Sequence, residues 1–155
     1  MVALNVTAPN FTLRSTSGHD VSLKDFRGKT VILAFFPAAF TGVCQNQICA
    51  FNDELSRLNE ANATVFGISV DGPHALGAFA EQNSLNFELL SDLNKEAITA
   101  FDITFPNFAN IEGYTVAKRS AFVINGDGQI TYRWIAPNPG VEPNYAEVIA
   151  AAESA

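Results

Sequence analysis

The run Val31-Ile32-Leu33-Ala34-Phe35-Phe36 constrains this chain more than any other stretch. Consecutive apolar residues of this length and type describe a fully buried strand. The next residues, Pro37-Ala38-Ala39-Phe40-Thr41-Gly42-Val43-Cys44, read as a short loop containing a proline and a glycine. Beyond them Ile48, Phe51, Leu55 and Leu58 recur at three- and four-residue spacing, the pattern of an amphipathic helix. Cys44 therefore falls where a central strand hands over to a helix N-terminus. Unpaired backbone N–H groups and the positive end of the helix dipole meet there, and both favour a thiolate over a thiol. A free cysteine so placed is disposed to be a nucleophile. The competing reading is a buried, inert cysteine.

Length and charge narrow the field. The 155 residues fit one domain, 1–155, large enough to bury a core. Apolar residues make up 48% and charged residues 16%, the balance of a compact globular chain. A net charge of −7 argues against nucleic acid, whose phosphates call for a basic patch. No apolar run reaches transmembrane length, so no membrane partner is expected. Met1 to Val6 lacks a basic region followed by an apolar one, and a cytoplasmic location is expected. Cys44 and Cys49 are too few for a disulfide framework and fit catalytic, redox or inert roles. His19 and His74 lie far from both, so neither a metal site nor a cofactor is expected. A thioredoxin-type dithiol centre would want Cys-x-x-Cys at this junction, and the spacing here differs.

The remaining elements follow in order. Phe11–Leu13 and Val21–Leu23 flank Ser15-Thr16-Ser17-Gly18 as a short hairpin, and Ser22 to Arg27 suits a helical turn. The helix after Cys44 is expected to run to about Asn59. Thr64–Val70 reads as a second apolar strand, closed by Asp71-Gly72-Pro73, with Pro73 opening a helix to about Asn83. Phe87–Leu90 is a third strand, and Asn94 is the expected cap of a helix ending near Phe101. Residues 103–117 lack periodicity and read as a long loop. Ala121–Ile124 and Ile130–Trp134 form a hairpin around Asn125-Gly126-Asp127-Gly128, and Tyr145–Ala152 is a final helix. The pattern predicts an α/β architecture of thioredoxin-like outline: a mixed central β-sheet flanked by helices, with an N-terminal hairpin extension.

Pro37-x-x-x-Thr41-x-x-Cys44 resembles the active-site signature of the peroxiredoxins, the alkyl hydroperoxide reductase/thiol-specific antioxidant family. Ala8-Pro9-Asn10-Phe11-Thr12-Leu13, Phe26-Arg27-Gly28-Lys29, Gly67-Ile68-Ser69-Val70-Asp71, Leu89-Leu90-Ser91-Asp92 and Arg119-Ser120-Ala121-Phe122-Val123-Ile124 resemble family stretches at the expected intervals. The resemblance implies a thiol-dependent peroxidase without cofactor, which reduces hydrogen peroxide and alkyl hydroperoxides. It makes Cys44 the peroxidatic residue, oxidised to sulfenic acid. A thioredoxin- or glutaredoxin-like dithiol would recycle it.

The physical roles agree. Displacing an alkoxide needs a thiolate and donors aimed at the oxygens where charge develops. Thr41 offers a hydroxyl, Val43 a backbone N–H at the helix N-terminus, Arg119 a permanent positive charge. Pro37 brings a donor-free ring that can shield the thiolate. Gln47, one turn on, matches a family position that holds the active-site network. Phe40 is a candidate contact for alkyl groups.

Each role has a plainer rival: Thr41 as a helix cap, Arg119 as a surface strand residue, Pro37 as a strand terminator, Gln47 as a solvated side chain. Cys49 resembles the resolving residue of the bacterioferritin-comigratory-protein subgroup, which closes an intramolecular Cys44–Cys49 disulfide. Other stretches resemble one-cysteine-type relatives, in which Cys49 would be a small buried hydrophobe on the inner face of the helix. Without a cysteine near Ala155 the typical intersubunit bridge is not expected. The expected assembly is a monomer or a homodimer joined through loops carrying Phe40, Phe105 and Phe108. The reading from another functional class is a redox-sensing or holdase-type binding protein on the same fold.

Overall fold

The computed structural model describes residues 3–155; of the segment read for an export signal, Met1 and Val2 lie outside them. Along the chain the elements are β1 (Thr12–Ser15), β2 (Asp20–Ser22), β3 (Thr30–Phe35), α1 (Gly42–Asp53), α2 (Leu55–Glu60), β4 (Ala63–Ser69) and α3 (Pro73–Gln82). There follow β5 (Leu89–Ser91), α4 (Glu96–Ala100), β6 (Thr104–Phe105), β7 (Val116–Ala117), β8 (Ser120–Ile124), β9 (Ile130–Ile135) and α5 (Tyr145–Ser154). Among the described residues, one sheet has the order β2-β1-β5-β4-β3-β8-β9 and a second pairs β6 with β7.

The apolar run becomes β3, every residue of it buried. It is parallel to β4 on one side and antiparallel to β8 on the other, so the sheet is mixed as expected. Its side chains alternate between two cores. Val31, Leu33 and Phe35 pack with Phe66, Phe101 and Phe122, whereas Ile32, Ala34 and Phe36 pack with Cys44, Ile48, Phe51 and Phe79. Burying side chains of this size contributes about 1.5–3 kcal/mol each. The hairpin of β1 and β2 joins the sheet edge through β1 and β5, with Arg14 opposite Ser91.

One glycine sets how deeply α1 seats. A Cβ added at Gly67 of β4 would lie 2.5 Å from Leu89 Cδ2 and 3.1 Å from Ile48 Cδ1. Its absence lets Ile48, and with it α1, press onto the sheet.

Three local expectations need correction. The helix does not run unbroken to Asn59: Glu54 adopts φ −96° and ψ 7°, its N–H bonds back to Phe51, and α2 starts afresh at Leu55. Asn94 does not cap α4. Lys95 occupies the cap in a left-handed conformation, and the buried Asp92 carboxylate accepts from the Ala97 and Ile98 N–H groups at 3.0 and 2.9 Å. Segment 103–117 is not wholly loop, because β6 and β7 pair Thr104 with Ala117 and Phe105 with Val116. Two residues per strand are too few to show a period of two.

Candidate active site

The C-terminal end of β3 delivers the chain into the loop before α1, and Cys44 is the third residue of that helix. Its side chain has no exposed surface. Arg119 immediately precedes β8, whose Ser120 pairs with Phe35 at the end of β3. The antiparallel register therefore brings residue 119 level with the loop. Arg119 is 2% exposed, and each of its three guanidinium nitrogens has a partner. Nη2 donates to Cys44 Sγ at 3.0 Å, Nη1 to Gln47 Oε1 at 2.7 Å, and Nε to the Pro139 carbonyl at 3.1 Å. Gln47 is itself buried, its Nε2 donating to the Phe35 carbonyl at 3.4 Å. A buried cation needs partners. Those found here are an amide oxygen, a peptide carbonyl and a sulfur, which leaves the positive charge for an anionic sulfur or a developing oxyanion.

The loop prepares the other half of the site. Pro37 is buried and Thr41 takes the N-cap position of α1 with extended backbone. Thr41 does not cap with its side chain: Oγ1 donates to the Ala38 carbonyl at 2.9 Å, which leaves the hydroxyl oxygen lone pairs open as acceptors. The first helical bond is Gln45 N–H to Thr41 carbonyl, so the N–H groups of Gly42, Val43 and Cys44 have no partner within the helix. Phe40 is half exposed, sits at φ +66°, and meets the Phe79 ring edge-on at 5.2 Å. The Ala39 N–H donates to Asp71 Oδ2 at 2.8 Å, and the Ser69 hydroxyl donates to the same oxygen at 2.6 Å.

Cys49 lies on the same helix but not in the same pocket. It is half-buried, its thiol donating to Asn83 Oδ1 at 3.7 Å, so the inner-face reading fails. Burial, and then the charge of Asp53, push the Cys49 thiol up. Both cysteines are free. Five residues of regular helix separate Cα atoms by roughly 8.6 Å, beyond the reach of about 7 Å for a disulfide.

Of the residues singled out from sequence, Cys44, Gln47 and Arg119 come together in one network, with Pro37, Thr41 and Val43 in the loop and first turn beside it. Phe105 packs on Phe108 at 6.1 Å, and Phe108 on Tyr114 at 5.6 Å. Burial first, then the charges of Asp71 and Cys44, push the Tyr114 phenol up. A cleft of about 60 Å³ lined by Phe105, Lys118, Arg119 and Ala136 to Pro139 adjoins Arg119. Sequence reasoning missed Asp71, Asn83 and the Pro139 carbonyl. Asp71 read only as the end of a strand, and a backbone carbonyl carries no residue signal at all.

The model of the AhpC/TSA family matches residues 4–133. The chain belongs to that family. Peroxiredoxin Bcp of Escherichia coli K12 is 37% identical over 125 residues, which cover 81% of this chain and 80% of that one. Among solved structures, peroxidoxin BcpB of Mycobacterium tuberculosis superposes with a TM-score of 0.86 at 24% identity, covering 99% and 98% of the two chains. The bacterioferritin comigratory protein of Xanthomonas campestris, a protein with alkyl peroxide reduction activity, gives 0.82 at 23% identity, covering 93% and 90%. These two likenesses establish the thioredoxin-like fold of the peroxiredoxins. The protein is a thiol peroxidase, an oxidoreductase whose family takes peroxides as substrates and thiols as reductants. Among the described residues, no helix of this peroxiredoxin is long and apolar enough to cross a membrane.

Proposed function

We propose that Cys44 is the peroxidatic residue and that Arg119, Gln47, Thr41 and the N-terminal N–H groups of α1 form its substrate cradle. The observation carrying this reading is the 3.0 Å contact from Arg119 Nη2 to Cys44 Sγ inside a buried pocket. In the first step the Cys44 thiolate attacks the terminal oxygen of ROOH, an S–O bond forms, and the O–O bond breaks. The leaving alkoxide takes a proton and departs as ROH, while Cys44 becomes a sulfenic acid. Charge grows on the leaving oxygen, where the guanidinium and the Val43 and Cys44 N–H groups supply fixed donors. Pro37 adds no competing donor.

Cys49 serves as the resolving residue in this proposal: its thiolate attacks the sulfenic sulfur, an S–S bond forms, and water leaves. An external dithiol of thioredoxin or glutaredoxin type then returns two electrons and both thiols. Phe40, half exposed beside the loop, is the surface an alkyl peroxide would meet. A monomer or homodimer carrying this site in one cytoplasmic domain is the assembly the proposal assumes.

Peroxide consumption coupled to a thioredoxin system tests the scheme, with turnover expected in the wild type and lost in Cys44→Ser. Full turnover in Cys44→Ser would remove Cys44 from the mechanism. Intact mass after one equivalent of peroxide separates the two fates of the sulfur. Loss of two hydrogens marks the Cys44–Cys49 disulfide, and gain of one oxygen a one-cysteine cycle.

A further inference from the structure

The loop that presents the α1 N-terminus is held from outside itself. Phe40 occupies the left-handed region at φ +66°, a conformation uncommon for a bulky side chain and one that a loop keeps only when its surroundings impose it. The fastening is next door in sequence: the Ala39 N–H is bonded to Asp71 Oδ2 at 2.8 Å. Asp71 is fastened in turn. Ser69 at the end of β4 donates its hydroxyl to the same carboxylate oxygen at 2.6 Å and accepts the Asp71 N–H at 3.2 Å, while Ser91 of β5 donates to the Asp71 carbonyl at 2.7 Å. Ser69 is fully buried and Ser91 nearly so. Asp71 thus ties the loop to two strands, its carboxylate to Ser69 of β4 and its backbone carbonyl to Ser91 of β5, and the bond from Ala39 to the carboxylate is charge-assisted, stronger than a neutral one.

The loop is also held by the Thr41 hydroxyl bonded to Ala38, by the edge-on contact of Phe40 with Phe79, and by the burial of Pro37 and Ala38 and the packing of Ala39 on the core. Release of the Asp71 bond removes the charged tether nearest the segment that leads directly into Thr41, Gly42, Val43 and Cys44.

We propose that Asp71 is a positioning residue that sets the balance between the closed loop, competent for peroxide attack, and a locally opened α1 end, competent for resolution. The proposal rests on the peroxidatic role of Cys44 and the resolving role of Cys49 given above. In the closed state the bond to Ala39 fixes the loop so that the first-turn N–H groups and the Thr41 hydroxyl face the reacting oxygens. In the open state Cys44 leaves Arg119 and approaches Cys49. A tether that favours the first state must disfavour the second, so its loss moves the two chemical steps in opposite directions. A general loss of folding would depress both.

Reduced wild type, Asp71→Asn, Asp71→Ala and Ser69→Ala are to be compared in single-turnover reaction with hydrogen peroxide. Sulfenic acid formation and disulfide closure are followed separately by quenched-flow mass analysis. Loss of a bond to a charged group should slow sulfenic acid formation about ten- to a hundredfold in Asp71→Ala, with a smaller drop in Ser69→Ala. Disulfide closure should become faster in both. Asp71→Asn keeps an acceptor oxygen for Ala39 and should fall between Asp71→Ala and wild type in both steps. Hydrogen exchange of the Gln45 to Cys49 amides in the reduced protein supplies a readout independent of chemistry. These amides should exchange about tenfold faster in Asp71→Ala. Rates of both steps within twofold of wild type, or both falling together in the isosteric Asp71→Asn, would overturn the proposal. If instead wild type forms neither sulfenic acid nor disulfide, the peroxidatic reading fails; sulfenic acid without disulfide removes only Cys49. In either case the exchange comparison still judges the tether.

Discussion

Replacing Arg119 by lysine keeps one positive charge and removes the planar fork. In the protein the fork makes three directed bonds at once: 3.0 Å to Cys44 Sγ, 2.7 Å to Gln47 Oε1 and 3.1 Å to the Pro139 carbonyl. A single ammonium nitrogen cannot reach a sulfur and an amide oxygen on α1 and a carbonyl on the 137–143 loop in three directions at once. The bond at the reacting centre is the one that matters for rate, and a hydrogen bond from a charged donor is worth about 1.5–3 kcal/mol. Losing it in the transition state lowers the second-order rate constant for peroxide about 10- to 150-fold. The buried Gln47 oxygen is left short of a donor as well, a cost of about 1–3 kcal/mol, whereas the part-buried Pro139 carbonyl can turn to water. Stability should therefore fall together with rate. The assay is single-turnover oxidation of the reduced protein under substoichiometric peroxide, with circular dichroism and denaturant melts run alongside. Arg119→Met, similar in bulk but without charge, should react at least as slowly as Arg119→Lys. A folded Arg119→Lys protein reacting within about threefold of wild type would refute the argument that directed bonds, rather than charge alone, set the rate.

Two further outcomes follow from the titrating groups. Since burial first and Asp53 second push the Cys49 thiol up, alkylation of Cys49 in Cys44→Ser should rise with pH to a midpoint above that of an ordinary thiol. Asp53→Asn should lower this midpoint only in part, and a midpoint at or below the ordinary value would contradict the burial argument. Burial also raises the Asp92 carboxyl against the opposing effect of its backbone N–H bonds, so in the relevant window the folded chain binds more protons than the unfolded one. Its contribution to stability is complete in acid and declines as pH rises through the folded value. Denaturant melts should show a shallower decline with pH in Asp92→Asn than in wild type; identical slopes would dismiss the effect.

What the sequence revealed and what it hid divide along physical lines. β3 was legible because apolar length and β-branched content survive in one dimension, and Gly67 or Asp92 then needed only to fit around it. Cys44 was legible because a strand-to-helix junction is a local pattern. Arg119 was placed by resemblance alone. Its contact with Cys44 spans 75 positions of sequence and depends on β8 pairing with β3 in one register. The tether at Asp71 was hidden for a related reason: an aspartate after an apolar strand and before Gly72-Pro73 has the composition of any turn, and its partner is a backbone N–H. The cap of α4 is hidden because Asn94 has the right residue type beside the helix, while the carboxylate that accepts from Ala97 and Ile98 is that of Asp92, farther back in the chain. For Cys49 the sequence leaves two readings open, a resolving residue or a buried hydrophobe on the inner face, because helical spacing alone does not show which neighbours cover that position. The structure turns that position toward Asn83 of the segment closing α3.

The packing of α1 decides which cysteine travels if the two are to meet. Ile48 and Phe51 are fully buried and flank Cys49, and Ile48 presses on the sheet where Gly67 makes room for it. Moving that half of the helix would vacate a core, at about 2–5 kcal/mol for each large side chain. The first turn has less to lose. Gly42 is exposed, Val43 is half-buried, and of these residues only Cys44 enters the core. What holds this end is largely polar: Arg119 on the sulfur, Asp71 on Ala39, and the Thr41 hydroxyl on Ala38, with the Phe40–Phe79 ring contact beside them. Exchanging these bonds for bonds to water costs about 0.5–3 kcal/mol each, while moving Ile48 and Phe51 would also return their buried apolar surface to water. The break therefore falls between Cys44 and Ile48, Cys49 stays where it is, and Cys44 must shorten a helical separation of roughly 8.6 Å by about 2 Å to come within bonding range. A dithiol reductant needs the same movement, since the sulfur has no exposed surface while the helix end is closed. One opening of the polar-tethered turn serves both steps, and the hydrophobic half of the same helix gives it a fixed point to open against.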